Sequence, residues 1–246
     1  MRPTDNIIGV IPARLGATRL PRKPLLPVAG VPMVQRVYEG ACRCGRLREV
    51  VVATDAVEIA AFCRLQGIPV TMTSAEHPSG TDRVWETVEQ RGAEAAINIQ
   101  GDEPMVRAEM LEALAARLFS EPEIEIASLY TAAGEQDAAA ASVCKVAVAQ
   151  NGRALYFSRA AIPYPRSGTA RYWKHLGFYA YSRAALNAFH SWTPSPLETV
   201  ERLEQLRFLE HGMAIAMAET PFDTISVDTA QDLEQASAAV EAETSR

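Results

Sequence analysis

Lysine is scarce in this chain. Only three of its 24 basic residues are lysines, Lys23, Lys145 and Lys174, and the other 21 are arginines. Arginine and lysine are not equivalent at phosphate sites, so a chain built on arginine keeps lysine where a compact ammonium is needed. That count singles out Lys23 first. Also lacking is any run of about 20 apolar residues such as a membrane helix requires. The segment Met1-Arg2-Pro3-Thr4-Asp5-Asn6 has no apolar core of the signal-peptide kind, so a cytoplasmic protein with no membrane partner is expected. Cysteine is limited to Cys42, Cys44, Cys63 and Cys144, with no repeated C-x-x-C pair and no histidine cluster beside them. Four inert, buried thiols are the expectation. The net charge of -6, from 24 basic and 30 acidic residues, excludes a general affinity for nucleic acid or anionic membrane. Any phosphate site must be a local exception.

What is present is apolar sequence in short pieces. With 246 residues and 48% hydrophobic content the chain buries a sizeable core, at the upper end of what one domain holds. In the first half, short Val/Ile-rich runs (Ile7-Pro12, Val50-Ala53, Pro69-Met72, Ala95-Ile99) alternate with amphipathic stretches (32-44, 56-66, 81-91, 107-118). That alternation implies βαβ units and a doubly wound, mainly parallel α/β sheet covered on both faces. The second half is less regular. Residues 125-130, 143-149 and 175-181 read as strands, 153-172 as a long connection, and 196-211 and 229-243 as helices. The Ala/Glu-rich run 132-141 reads as a helix or surface loop, and the tail after about 240 is expected to fray.

Ligands of doubly wound sheets lie at the carboxyl ends of the strands. Directly after the first strand stand Arg14, Arg19, Arg22 and Lys23, four cations within ten residues, interspersed with Gly, Ala and Thr. Such a loop can surround a polyphosphate with backbone N–H groups and side chains. It is not a Walker A loop, because the G-x-x-x-x-G-K-[ST] spacing is missing. After the fourth long strand, Gln100-Gly101-Asp102-Glu103-Pro104 puts carboxylates on a strand-end turn. Opposite a cationic loop, Asp102 suits magnesium bridging phosphate oxygens, although a Gly-Asp pair is also ordinary turn chemistry. Asp228 offers a second carboxylate; Thr229 is the better N-cap for the helix that follows, which leaves Asp228 free.

These residues sit within a larger set. Ile-Pro-Ala-Arg at 11-14, Thr-Arg-Leu-Pro at 18-21, Lys-Pro-Leu at 23-25, Ala-Thr-Asp at 53-55, Ser-Gly-Thr at 79-81, Gln-Gly-Asp-Glu-Pro at 100-104, Tyr-Phe-Ser-Arg at 156-159, His-Leu-Gly at 175-177, Leu-Glu-Gln-Leu-Arg at 203-207 and Val-Asp-Thr at 227-229 resemble the 3-deoxy-manno-octulosonate cytidylyltransferases. The resemblance runs from about residue 7 to 240 in order and spacing. It implies a Rossmann-like nucleotidyltransferase domain over 1-246, with 130-220 contributing a smaller sugar-acid subdomain and the surface of a homodimer. It implies CMP transfer from CTP to the anomeric hydroxyl of 3-deoxy-manno-octulosonate (KDO), with release of pyrophosphate, for lipopolysaccharide synthesis.

By similarity, Arg14, Arg19 and Lys23 would hold the CTP phosphates. Ser79, Gly80 and Gln100 would lie around the cytidine, and Asp102 and Asp228 would bind Mg²⁺. Arg159, His175, Tyr179, Glu204 and Gln205 would line the sugar-acid pocket, with Arg159 on the carboxylate. Without the resemblance, His175 and Tyr179 read as core residues on one strand face, and Glu204 and Gln205 as a solvated helix face. The chain departs from the family pattern at Arg22, where the family often has Gly, and at Ala141-Ser142-Val143-Cys144-Lys145, which replaces Asn-Ala-Val-Lys. Competing readings are transfer to a sialate or amino-sugar acid and a CTP-binding module without turnover. No protein base stands out, and acidification of the acceptor hydroxyl is assigned to the metal and not to His175.

Overall fold

The computed structural model describes residues 6–16 and 19–244. Met1–Asp5 of the segment read against a signal peptide, and Thr18 of the Thr-Arg-Leu-Pro motif, lie outside the described residues. In chain order the elements are β1 (Ile7–Pro12), a single 3-10 turn (Lys23–Leu25), β2 (Pro27–Val28), β3 (Val31–Pro32), α1 (Met33–Ala41), β4 (Glu49–Thr54), α2 (Val57–Leu65), β5 (Val70–Met72), α3 (Gly80–Arg91), β6 (Ala95–Asn98) and α4 (Ala108–Leu118). There follow β7 (Ile126–Ala132), α5 (Glu135–Ala139), β8 (Lys145–Val148), β9 (Ala154–Ser158), β10 (Trp173–Ser182), α6 (Arg183–Ser191), α7 (Pro196–Glu201), α8 (Gln205–Glu210), β11 (Ala216–Glu219) and α9 (Ala230–Thr244). The chain forms two compact units: one from Pro3–Glu112 with Thr224–Arg246, the other from Ala113–Asp223.

In the first unit β4 and β6 pair with β1 on either side and β5 pairs with β4, all parallel. Ile7, Ile8, Val10 and Ile11 of β1 are all fully buried. Successive strand residues point to opposite faces, so both faces of β1 are covered, as the unbroken apolar runs require. The chain moves outward from β1 to β4 to β5 and then returns, through α3, to β6 on the other side of β1. This reversal is the topological switch point of a doubly wound sheet, where ligands bind beyond the strands' carboxyl ends. The segments that leave β1 and β6 there are the cationic loop and the turn carrying Asp102.

The second unit is mixed. β10 runs antiparallel to β7, β11 runs parallel to β7, and β8 is antiparallel to both β9 and β10. Here the expectations need correction. The connection expected over 153-172 contains β9, and a helix, α6, fills 183-191. The helix expected over 196-211 is two helices, because Arg202 takes φ 54° and ψ 50° and ends α7. Left-handed backbone stops a helix, and nothing in the residue type announces it. Arg207 on α8 then forms a bidentate ion pair with Glu198 on α7, at 2.7 and 2.5 Å. At the chain's end α9 continues to Thr244 rather than fraying near 240. Cys44 and Cys63 are buried and Cys144 is half-buried, but Cys42 is exposed, against the expectation of four buried thiols.

Candidate active site

Three residues far apart in sequence meet at the switch point. The Lys23 ammonium donates to Asp102 Oδ2 at 2.7 Å and to Asp228 Oδ1 at 3.0 Å, and Arg19 donates to Asp228 Oδ2 at 3.0 Å. Burial pulls the Lys23 ammonium down, but the charge and hydrogen bonds of Asp102, then of Asp228, outweigh it and its pKa rises above 10.5. Local sequence builds each position. Lys23 opens a 3-10 turn whose N-cap, Arg22, sits at φ 59°, in the left-handed region that glycine favours. Arg22 turns its guanidinium onto Glu58, so Arg22 and Lys23 face different partners.

Asp102 is placed by Gly101. A Cβ there would lie 2.7 Å from the Pro12 carbonyl oxygen, so only glycine lets the turn after β6 pass against the end of β1. Asp228 is held by the start of α9. The Thr229 Oγ1 accepts from Asp232 N at 3.2 Å, while an Asp232 carboxylate oxygen accepts from the backbone of Asp228 (3.0 Å) and Thr229 (2.8 Å). This reciprocal cap uses Thr229 and Asp232, and the Asp228 carboxylate stays free of the helix. Val227 N donates to Asp102 O at 2.9 Å, so the two carboxylates belong to hydrogen-bonded segments.

The set fits a hard divalent cation. Two carboxylates already converge on one positive group, and magnesium takes one or two protein carboxylates with phosphates and water completing its shell. Among the described residues no group of three or more potential ligands occurs. Ser79 caps α3, accepting from Asp82 N at 3.1 Å, and Gly80 comes within 3.6 Å of Pro12 by its Cβ position. Both therefore lie beside the end of β1. Gln100 sits in the same turn as Asp102, its carbonyl accepting from Glu103 N at 3.1 Å. Arg14 is exposed, and among the described residues the ion pairs of Asp102 and Asp228 are with Lys23 and Arg19.

The acceptor residues inferred from resemblance all fall in the second unit. His175 and Tyr179 are both buried, their rings 5.3 Å apart. The register shift in β10 between Leu176 and Tyr179 adds two residues against β7. An even insertion keeps both side chains on one face. Ser128 Oγ donates to Phe178 O at 2.8 Å, so its contact with His175 Nε2 at 2.9 Å has the imidazole donating. The proton is thereby assigned to Nε2. Burial lowers the His175 pKa to about 3 and raises that of Tyr179 well above 10. Neither ionises near neutrality.

Arg159 follows β9 and is held by carbonyls: Nε donates to Glu201 O at 3.0 Å, and Nη1 to Ala141 O and Ser142 O at 3.3 and 3.4 Å. The Glu201 carboxylate accepts from Arg159 N (3.0 Å) and from Ser158 Oγ (2.6 Å). Gln205 is 4% exposed and donates to Cys144 Sγ at 3.7 Å. This corrects the solvated face expected for it, because the turn at Arg202 rotates α8 inward; Glu204, at its N-cap, is exposed. Sequence reasoning passed over Glu201, and it noted Lys145 for the scarcity of lysine without giving it a role.

A sequence model of the cytidylyltransferase family matches residues 8–215. The 3-deoxy-manno-octulosonate cytidylyltransferase of Acidobacterium capsulatum is 49% identical over 230 residues, 93% of this chain and 94% of that protein. A solved structure described as CMP:2-keto-3-deoxy-manno-octonic acid synthetase complexed with CTP is 42% identical, with a TM-score of 0.93 over 96% of this chain and 99% of that one. A glucose-1-phosphate thymidylyltransferase from Bacillus anthracis shares the fold at 16% identity, with a TM-score of 0.69 over 95% of this chain and 94% of that one. The sheet, its switch point and these matches place the chain in one family: it belongs to the 3-deoxy-manno-octulosonate cytidylyltransferases.

Proposed function

We infer that the protein transfers CMP from CTP to the anomeric 2-hydroxyl of 3-deoxy-manno-octulosonate, releasing pyrophosphate and supplying an activated sugar acid for lipopolysaccharide synthesis. The observation that carries the reading is the Lys23–Asp102–Asp228 cluster at the switch point, in a chain 42% identical to a structure holding CTP. The hydroxyl oxygen attacks the α-phosphorus and gives up its proton to solvent, the bond to the bridging oxygen breaks, and pyrophosphate departs. This chemistry needs positioning and charge stabilisation more than covalent help.

Arg14, Arg19 and Lys23 supply positive charge to the triphosphate. Asp102 and Asp228 would hold Mg²⁺, which would supply charge neutralisation on phosphate oxygens and acidify the acceptor hydroxyl. The Lys23 ammonium, which lies between those carboxylates, would turn to the leaving phosphates. His175 is a poor base at a pKa of about 3, and its role is to shape the acceptor pocket with Tyr179. Arg159, Glu204 and Gln205 complete that pocket, Arg159 on the carboxylate.

Dependence on CTP fits a cytoplasmic enzyme. The family resemblance and the exposed Leu155, Tyr164, Leu197 and Val200 of the second unit support a homodimer formed there. Pyrophosphate release from CTP is measured with Mg²⁺ and a panel comprising KDO, an amino-sugar analogue and sialate. The greatest kcat/KM is expected with KDO; a preference for another acid, or no turnover with any, refutes the reading.

A further inference from the structure

Lysine is almost never fully buried without an ionic partner, since desolvating a lone ammonium is costly. Lys145 is 0% exposed. Among the described residues no carboxylate pairs with it; its three donors meet three backbone carbonyls, Ala140 O at 2.7 Å, Val143 O at 2.7 Å and Arg159 O at 2.6 Å. Burial pulls its pKa below 10.5. A core without lysine here would avoid that cost, so the pattern of the three bonds is informative.

Each of them ends on a segment that aims Arg159. Ala140 and Val143 bracket Ala141 and Ser142, whose carbonyls accept from Arg159 Nη1. The third bond is to the carbonyl of Arg159 itself. Glu201 secures the opposite side through the backbone N and Nε of Arg159. Three hydrogen bonds thus fix the guanidinium and two more hold its backbone, and Nη2 is left without a partner among the described residues. A planar fork could not gather three carbonyls that arrive from separate directions, whereas three tetrahedral N–H bonds can.

We propose that Lys145 is a positioning residue for the acceptor: by drawing the carbonyls of Ala140, Val143 and Arg159 onto one buried ammonium, it sets the direction in which Arg159 presents Nη2 to the carboxylate of an anionic substrate. This rests on the reading that Arg159 binds the sugar acid, and the experiment separates the two. KM for KDO, KM for CTP and melting temperature are measured for Lys145→Met, Lys145→Gln, Arg159→Ala and the double variant Lys145→Met/Arg159→Ala. Lys145→Met should raise KM for KDO about tenfold, the scale on which a supporting shell acts, with KM for CTP unchanged. Lys145→Gln, whose amide still donates, should show a smaller rise and keeps the test open if the Met variant does not fold. The double variant should resemble Arg159→Ala alone, since the lysine acts through the arginine.

A rise in KM for KDO with Arg159→Ala but with neither Lys145 variant overturns the positioning role alone. No rise with any variant overturns the carboxylate reading and the positioning role together. Equal drift of both KM values with a falling melting temperature, or additive effects in the double variant, marks Lys145 as structural and overturns the proposal.

Discussion

Replacing Lys23 with Met removes the ammonium that holds Asp102 and Asp228 together while keeping most of the side chain's length. The Lys23 side chain is 15% exposed and that of Asp102 24%, so their bond counts as a charge-assisted, part-buried one of about 1.5–3 kcal/mol. The Asp228 side chain is 46% exposed, and its share is screened to about 0.2–1 kcal/mol. Subtracting the cost of desolvating the ammonium leaves a loss of about 2 kcal/mol, or about 4–8 °C in melting temperature at this chain length. Because the folded pKa of Lys23 lies above 10.5, this contribution is complete across neutral pH, where the partner carboxylates are charged, and on the alkaline side it is lost as pH rises through the raised value. The deficit of the variant is therefore flat across neutral pH.

The same substitution should do the opposite to cation binding. Two carboxylates freed of their ammonium attract Mg²⁺ more strongly, so added MgCl₂ should raise the melting temperature of Lys23→Met by more than that of the wild type. At a concentration about 100 times Kd the gain approaches about 2.7 kcal/mol. Turnover should nevertheless be lost, because no ammonium reaches the leaving phosphates. Differential scanning fluorimetry with and without MgCl₂, beside a pyrophosphate assay, reads all three quantities. A variant that melts with the wild type, or that gains no more from Mg²⁺ than the wild type does, refutes both the triad and the cation site.

Three other outcomes are expected. Asp102→Asn keeps a hydrogen-bond acceptor for Lys23 but not the charge, so the melting temperature should fall less than in Lys23→Met while kcat falls by about 100-fold or more; near-normal pyrophosphate release at limiting Mg²⁺ removes Asp102 from the metal site. Arg22→Gly relieves the left-handed backbone at φ 59°, worth roughly 1 kcal/mol, and loses an exposed ion pair to Glu58 of about 0.2–1 kcal/mol, so stability and kcat/KM for CTP should barely change; a loss equal to that of Lys23→Ala would show that Arg22 also serves the phosphates. The neutral, buried His175 favours the folded state above its unfolded pKa of 6.5, an advantage lost as pH falls toward about 3. Unfolding free energies from urea titrations below pH 6 should therefore decline less steeply in His175→Asn, by about 1.4 kcal/mol per pH unit, and an unchanged slope would mean that His175 titrates normally.

Much of this protein is written locally in its sequence. Ile7–Pro12 and the three runs after it carry β-branched residues that can only be buried on two faces, which dictated the parallel sheet and its strand-end chemistry. Thr229, as a cap, identified Asp228 as the spare carboxylate, and the scarcity of lysine pointed to Lys23. The tertiary structure decided what depends on long-range geometry: the return of β6 beside β1 and the bond from Val227 N to Asp102 O, which bring Lys23, Asp102 and Asp228 onto one point from positions 79 and 205 residues apart. It also decided the left-handed turn at Arg202 that carries Gln205 inward, the two-residue shift in β10 that keeps His175 and Tyr179 on one face, and the three carbonyls that enclose Lys145. Periodicity and capping act over a few residues and are legible in the chain, whereas a carbonyl cage or a paired carboxylate exists only once distant backbone segments have been packed together.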